Sequence, residues 1–210
     1  MRAAATHAAP TRTGSPEWFG SSRSVTDSLF KQVSCETYVL DVNSSDLATR
    51  PAEALIPKPA HVFGRDREWA ELVSFATDPA DPATLAVVSG LRRQGKTYLL
   101  HALTEALGGL YFEAAPATER ESLRLFGAAI GRRIGAGVQL DFETWQDGVD
   151  YLFSLASNRS GLVVIDEFPQ LAKTSPRLLA LLRRELAASA QSRRVRTRLI
   201  LCGAATPVMH

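Results

Sequence analysis

The sequence predicts an α/β fold built on a parallel sheet, and three observations carry that prediction. Four short apolar segments, at residues 84–89, 110–114, 161–166 and 198–202, have the length and composition of buried strands. Segments with apolar residues at helical spacing lie between them. A glycine-rich loop leads from the first strand directly into a helix, and two acidic residues come directly after the third strand. Open α/β sheets bind ligands at this carboxyl edge of their strands.

The loop at residues 90–97 carries the phosphate-binding pattern G-x-x-x-x-G-K-T. Its glycines let the backbone point N–H groups at phosphate oxygens, and the following helix adds partial positive charge at its N-terminus. We expect Lys96 to contact the β- and γ-phosphates and the Thr97 hydroxyl to bind Mg²⁺. A chance turn of glycine and lysine would lack the flanking strand and helix. The predicted nucleotide-binding residues here are Gly90, Leu91, Arg92, Arg93, Gln94, Gly95, Lys96, Thr97 and Tyr98.

The acidic pair comes after the run Leu-Val-Val-Ile at residues 162–165. This pattern is typical of the Walker B strand, which delivers carboxylates to the ligand edge of a parallel sheet. We expect Asp166 to hold the Mg²⁺ shell and Glu167 to orient and deprotonate the attacking water. Two acids after a strand can also mark the beginning of a helix, so the pattern gains its force from the P-loop that precedes it.

Composition excludes several other classes of protein. The chain has 210 residues, of which 45% are hydrophobic, and a net charge of +2, so DNA binding is not indicated. Cys35 and Cys202 lack metal-site spacing and suit a reducing cytoplasm. The sequence shows neither a membrane-length apolar run nor the apolar core of a secretory signal, so we expect a cytoplasmic protein without a membrane partner.

The chain divides into an extension and a core. Residues 1–58 show no sustained period and are expected to be disordered or of low order, whereas residues 59–210 form the P-loop core. Residues 38–40 could form a short strand, but nothing nearby pairs with it clearly. A partner-binding arm and a misassigned start codon are alternatives for the extension. The basic stretch at residues 193–198 is interpreted as a solvated loop rather than a patch for nucleic acid or a neighbouring subunit.

Residues 62–209 resemble the archaeal-type ATPases, a branch of the STAND and AAA+ class of P-loop NTPases. Three motifs carry the resemblance: a G-R-x-x-E-like box at residues 64–68, the G-x-R-R-x-G-K-T form of the loop, and the h-h-h-D-E-h strand at residues 163–168. The resemblance implies a three-layer α/β/α fold with strand order 5-1-4-3-2. It also implies that Gly64 and Arg65 lie by the adenine of bound ATP.

The sequence departs from this family after the fourth strand. Ala204 and Ala205 stand where the family has a small polar γ-phosphate sensor, although Thr206 could substitute for it. No fifth strand, arginine finger, helical lid or effector domain is found. The resemblance therefore predicts a truncated core in which the strand at 84–89 lies at an open sheet edge. Such a chain is expected to aggregate and to be nearly inactive as an ATPase.

These patterns favour an ATP-binding module with Mg²⁺-dependent hydrolysis, acting as a nucleotide switch for a missing downstream domain. A non-hydrolysing binding or scaffold fragment is the alternative from another class, and self-association or a partner protein remains open. A small-molecule kinase is disfavoured because such kinases usually lack the Asp-Glu pair. A GTPase is disfavoured because the sequence has no N-K-x-D motif.

Overall fold

The computed structural model describes residues 37–41, 56–77, 85–135, 137, 139–156, 161–192 and 197–204. The elements are, in chain order, β1 (Thr37–Asp41), α1 (Asp66–Thr77), β2 (Leu85–Gly90), α2 (Lys96–Leu107), β3 (Leu110–Glu113), α3 (Glu119–Ile134), α4 (Trp145–Ala156), β4 (Leu162–Asp166), α5 (Phe168–Thr174), α6 (Leu178–Ser192) and β5 (Arg198–Ala204). None of these described helices is long and apolar enough to cross a membrane.

The five strands form one sheet in the order β1-β2-β5-β4-β3. Every pair of neighbours is parallel. The central pairing joins β2 to β5 from Leu85↔Leu199 to Gly90↔Ala204. Because all strands point the same way, the carboxyl ends of β2, β4 and β5 lie at one edge of the sheet. The end of β2 is the beginning of the predicted phosphate loop.

Both faces of the sheet are covered, which explains why its strands read as continuous apolar runs. On β5, Ile200 and Cys202 face one core, which they share with α1 and α2. Leu199 and Leu201 face the second core, which is completed by α3, α4, α5 and α6. Successive residues of a strand point to opposite faces, so this alternation fixes the register of β5 between two helical layers. The architecture is α/β with helices on both sides of the sheet.

The expectation that the strand at 84–89 lies at an open edge is wrong in this structure. β1 pairs with β2 in parallel from Thr37↔Leu85 to Asp41↔Ser89, so β2 has a neighbour on each side. Residues 37–41, where the sequence allowed a short strand at 38–40, form β1, and most of the rest of that extension lies outside the described residues. Parallel strands need a crossover connection, and α1 lies in the segment that connects β1 to β2.

Two glycines are required by the structure, one for close packing and one for the end of a helix. Gly127 lies inside α3, where a Cβ atom would stand 1.8 Å from the backbone oxygen of Leu140. A glycine in a helix normally weakens it, but here its missing side chain lets the loop before α4 pack against α3. Gly108 ends α2 in the left-handed conformation with φ 62°, as the predicted glycine stop requires.

Candidate nucleotide-binding site

The predicted phosphate loop connects the end of β2 to the beginning of α2. Gly95 precedes the first turn of α2 with φ 75°, a left-handed conformation that glycine adopts at little cost. No side chain caps the N-terminus of this helix. The first backbone N–H groups of a helix have no partners within it, so here they remain available to an anion. Arg93 also lies in the left-handed region with φ 61°, which is uncommon for a residue with a Cβ atom.

The side chain of Lys96, at the end of the phosphate loop, folds back to contact the beginning of the same loop. Its Nζ atom donates to the backbone oxygen of Gly90 at 2.9 Å and to that of Leu91 at 2.6 Å. Only 7% of this residue is exposed. An ammonium group has three protons to donate, so two are engaged by the loop and one remains for another acceptor. Lys96 is therefore a buried cation held at the concave side of the phosphate loop.

Asp166, at the carboxyl end of β4, contacts the beginning of α2 directly after the phosphate loop. Its Oδ2 atom accepts a hydrogen bond from the Thr97 hydroxyl at 2.7 Å and another from the Tyr111 hydroxyl at 2.8 Å. Its Oδ1 atom accepts from the backbone N–H of Glu167 at 2.7 Å. The residue is 1% exposed, so these donors replace water around a buried carboxylate. The two predicted metal ligands, Thr97 and Asp166, are thus in direct contact.

Two neighbours of Asp166 are held in their protonated forms. Burial raises the pKa of the Tyr111 hydroxyl, and the negative charge of Asp166 raises it further. The same two causes, in the same order, raise the pKa of the Cys202 thiol on β5. Both groups therefore remain neutral around neutral pH and can donate to the carboxylate. Sequence patterns single out neither residue for this site, because each lies on a strand distant in sequence from β4.

Glu167, the predicted catalytic base, comes directly after Asp166 at the beginning of α5. Its backbone is left-handed with φ 51° and ψ 34°, and the residue is half-buried. A non-glycine residue in this region carries strain of order 1–3 kcal/mol, and such strain often accompanies functional positions. Within the part of the chain that the structure describes, no hydrogen bond or ion pair engages the Glu167 carboxylate.

The box at residues 64–68 contacts the phosphate loop through Arg65. Its guanidinium donates to the backbone oxygen of Gln94 at 2.7 Å and to Glu68 Oε1 at 2.6 Å. Gly64 and Arg65 are both left-handed, with φ 59° and 74°. Arg65 thus connects the box to the phosphate loop by a hydrogen bond. That Gly64 and Arg65 lie by the adenine of bound ATP stays a prediction.

Exposed rings flank this side of the loop. Tyr98, in the first turn of α2, is 53% exposed, and its hydroxyl lies 3.4 Å from the backbone oxygen of His61. The His61 and Tyr98 rings meet edge to face with centroids 5.7 Å apart. Phe63 is 87% exposed beside the box. Leu91, Arg92 and Arg93 are exposed on the loop itself.

The donor set suits Mg²⁺ rather than a metal bound by protein alone. Among the described residues no group of three or more His, Cys, Asp or Glu side chains could hold a metal ion. Mg²⁺ usually keeps several waters and binds one or two protein oxygens together with substrate phosphates. One hydroxyl and one buried carboxylate beside a phosphate loop fit that requirement. At the predicted sensor position, Ala204 ends β5 beside Gly90 and offers no polar group, whereas Ala205 and Thr206 lie outside the described residues.

Comparison with known proteins supports the fold. No family model matches the chain, and no curated protein matches its sequence. Among solved structures the chain is similar to the Walker-type ATPase PABY2304 of Pyrococcus abyssi, with a TM-score of 0.50 and 21% identity. The match covers 75% of this chain and 48% of that one, so the chain spans about half the length of this neighbour. At this identity the likeness shows a P-loop ATPase-like fold.

Proposed function

We propose that this chain is an ATP-binding module that hydrolyses ATP with Mg²⁺. The contact between Thr97 Oγ1 and Asp166 Oδ2, at 2.7 Å, carries the proposal. It joins two motifs that lie 69 residues apart, and it places the acidic pair, which is weak evidence when read alone, beside the phosphate loop. Phosphoryl transfer in P-loop NTPases depends on positioning and electrostatics, and needs this hydroxyl and this carboxylate at one edge of the sheet.

In this proposal the phosphates bind to the loop through backbone N–H groups and the Lys96 ammonium. The uncapped N-terminus of α2 supplies the N–H groups, and Lys96 supplies a charge that is already buried. Thr97 and Asp166 would hold Mg²⁺, which when bound neutralises charge on the β- and γ-phosphate oxygens. Hydrolysis then requires a base, and Glu167 is the carboxylate that begins α5 beside this pair.

We further propose that the site prefers ATP to GTP and acts as a switch. The resemblance to archaeal-type ATPases of the STAND and AAA+ class supports both points, together with the absence of an N-K-x-D motif from the sequence. In such a switch the nucleotide state controls an attached domain or a partner protein. Competition of ATP and GTP against a fluorescent ATP analogue tests the base preference, and tighter binding of GTP would contradict it.

Phosphate release from ATP and Mg²⁺ tests the hydrolytic proposal. The parent should release phosphate, and Glu167→Gln should bind ATP with parental affinity but lose turnover by 100-fold or more, in the range that general base catalysis contributes, about 10²–10⁴-fold. Glu143→Gln is the matched control, since it removes an exposed carboxylate from the loop before α4. Turnover of Glu167→Gln equal to that of the parent would show that another group is the base.

A non-hydrolysing nucleotide binder is the second candidate, and Ala204 favours it. This residue lies beside Gly90 in the sheet, and its methyl group cannot sense a γ-phosphate by hydrogen bonding. The same assay separates the two candidates. ATP binding by the parent with phosphate release no higher than that of a protein-free blank would establish the second, whereas equal turnover of both proteins above that blank would mean a different base.

A further inference from the structure

We propose that Tyr111 is a positioning residue for the Mg²⁺ site, acting through the carboxylate of Asp166. The inference rests on the proposed nucleotide-binding function. Its hydroxyl donates to Asp166 Oδ2 at 2.8 Å, to the same oxygen that accepts from Thr97 at 2.7 Å. A carboxylate oxygen has two lone pairs, so both sites on Oδ2 are filled by hydroxyl donors. The carboxylate is thereby fixed about its χ2 axis.

The sheet places Tyr111 for this contact. β3 runs beside β4 with Tyr111 opposite Val164, two residues before Asp166. The tyrosine side chain lies on the face covered by α2, where Cys202 and Val164 are also packed. The phenol ring reaches along this face to the carboxyl end of β4. The Tyr111 hydroxyl thus reaches Asp166 from β3, whereas the Thr97 hydroxyl reaches it from the beginning of α2.

The ring of Tyr111 is itself held in place by α2. His101 packs edge to face against it, with ring centroids 5.2 Å apart and planes at 68°. The same helix begins with Lys96 and Thr97, so the phosphate loop, the phenol and the carboxylate are connected through one helix and two adjacent strands. A phenol held in this way positions the carboxylate without contacting phosphate or metal.

Removing the Tyr111 hydroxyl should weaken the binding of Mg²⁺ and leave metal-independent ATP binding unchanged. Groups that hydrogen-bond to a metal ligand without contacting the metal typically contribute 10- to 100-fold to metal affinity. Tyr111→Phe removes the hydroxyl and keeps the ring that packs on His101. We expect ATP affinity in EDTA to stay within twofold of the parent. The Mg²⁺ concentration that gives half of the Mg²⁺-dependent gain in affinity should rise about 10-fold or more.

The measurement is titration of a fluorescent ATP analogue in EDTA and over a range of MgCl2 concentrations. Tyr151→Phe is the matched control, because that ring packs against Phe142 in the core on the other face of the sheet. A double-mutant cycle adds Asp166→Asn. If Tyr111 acts through Asp166, the hydroxyl deletion has no further effect on Mg²⁺ dependence in that background.

Several outcomes overturn the inference. Equal Mg²⁺ dependence in Tyr111→Phe and the parent would show that the hydroxyl does not position the ligand. An equal loss in EDTA and in Mg²⁺ would assign Tyr111 a structural role only, and so would an undiminished effect in the Asp166→Asn background. A folded parent that binds no ATP analogue would instead refute the proposed function, and this inference with it.

Discussion

Replacing Lys96 by Ala removes the cation that the proposed function places against the phosphates of ATP. In the structure the ammonium donates to the backbone oxygens of Gly90 and Leu91 at 2.9 and 2.6 Å and is almost fully buried. A hydrogen bond to a charged group contributes about 1.5–3 kcal/mol. Losing one such bond to a phosphate lowers ATP affinity by about 10- to 150-fold, at 1.4 kcal/mol for each factor of ten.

The free energy lost with Lys96 should lie below the bare Coulomb energy of an ammonium and a phosphate. Two unit charges 3 Å apart at an effective dielectric constant of 20 attract by about 5.5 kcal/mol. The ammonium group of Lys96 already has two acceptors in the loop, so phosphate binding would exchange partners for that charge rather than supply its first partner. The net gain is therefore closer to the energy of a single charged hydrogen bond.

Titration with a fluorescent ATP analogue and Mg²⁺ measures the loss, and thermal unfolding confirms that the variant is folded. Lys173→Ala is the matched control, because this lysine is exposed on α5 and its ammonium donates to the side chain of Gln170 at 3.3 Å. It should bind within twofold of the parent. A folded Lys96→Ala that binds as tightly as this control would refute the assignment of the loop as the phosphate site.

Three further predictions concern the fold around the site. Gly127→Ala should lower the free energy of unfolding in urea by at least about 1–3 kcal/mol, because the new methyl group meets a backbone oxygen 1.8 Å away. In a Cys35→Ser background the Cys202 thiol should react with Ellman's reagent only after denaturation, because the thiol is fully buried and burial raises its pKa. Prompt reaction of the native protein would contradict this. Deleting residues 1–55 should expose the edge of β2 and shift elution in size-exclusion chromatography to larger species, whereas deleting residues 1–30, which spares β1, should not.

The phosphate loop and the acidic strand could be predicted because each is specified by a short run of contiguous residues. A phosphate loop needs glycine, lysine and threonine at fixed spacing, and residues 90–97 contain that spacing. A buried parallel strand needs an unbroken apolar run, and residues 162–165 supply one just before Asp166. The structure brings these two segments together at 2.7 Å.

The neighbour of β2 could not be predicted from local pattern. Thr37–Asp41 contains β-branched and aromatic residues, but its partner begins at Leu85, far along the chain. Hairpin signals identify antiparallel neighbours, whereas a parallel pair leaves no turn signature between its strands. Local pattern therefore places this short strand in the extension, among small polar residues, and leaves β2 at an open edge.

The surroundings of Asp166 escape prediction for a related reason. Tyr111 and Cys202 lie on β3 and β5, the two strands that flank β4 in the sheet. Which residues meet across a parallel sheet depends on strand order and register, and neither can be obtained from apolar periodicity alone. Each residue also has an ordinary explanation as part of a core strand, so nothing in the sequence singles it out.

The hydrogen bonds of the proposed site distinguish the contacts that nucleotide binding would change from those that it can keep. Lys96 donates to loop carbonyls, so a phosphate has to compete with those acceptors or use the remaining proton. Thr97 donates its proton to Asp166, which leaves the lone pairs of the threonine oxygen directed elsewhere and available to a cation. In the proposed function the two predicted metal ligands, Thr97 and Asp166, are therefore arranged before binding, and Lys96 is the group whose contacts would rearrange. Since a preorganised ligand pair loses little entropy when it binds, this arrangement favours a site that takes nucleotide and Mg²⁺ together.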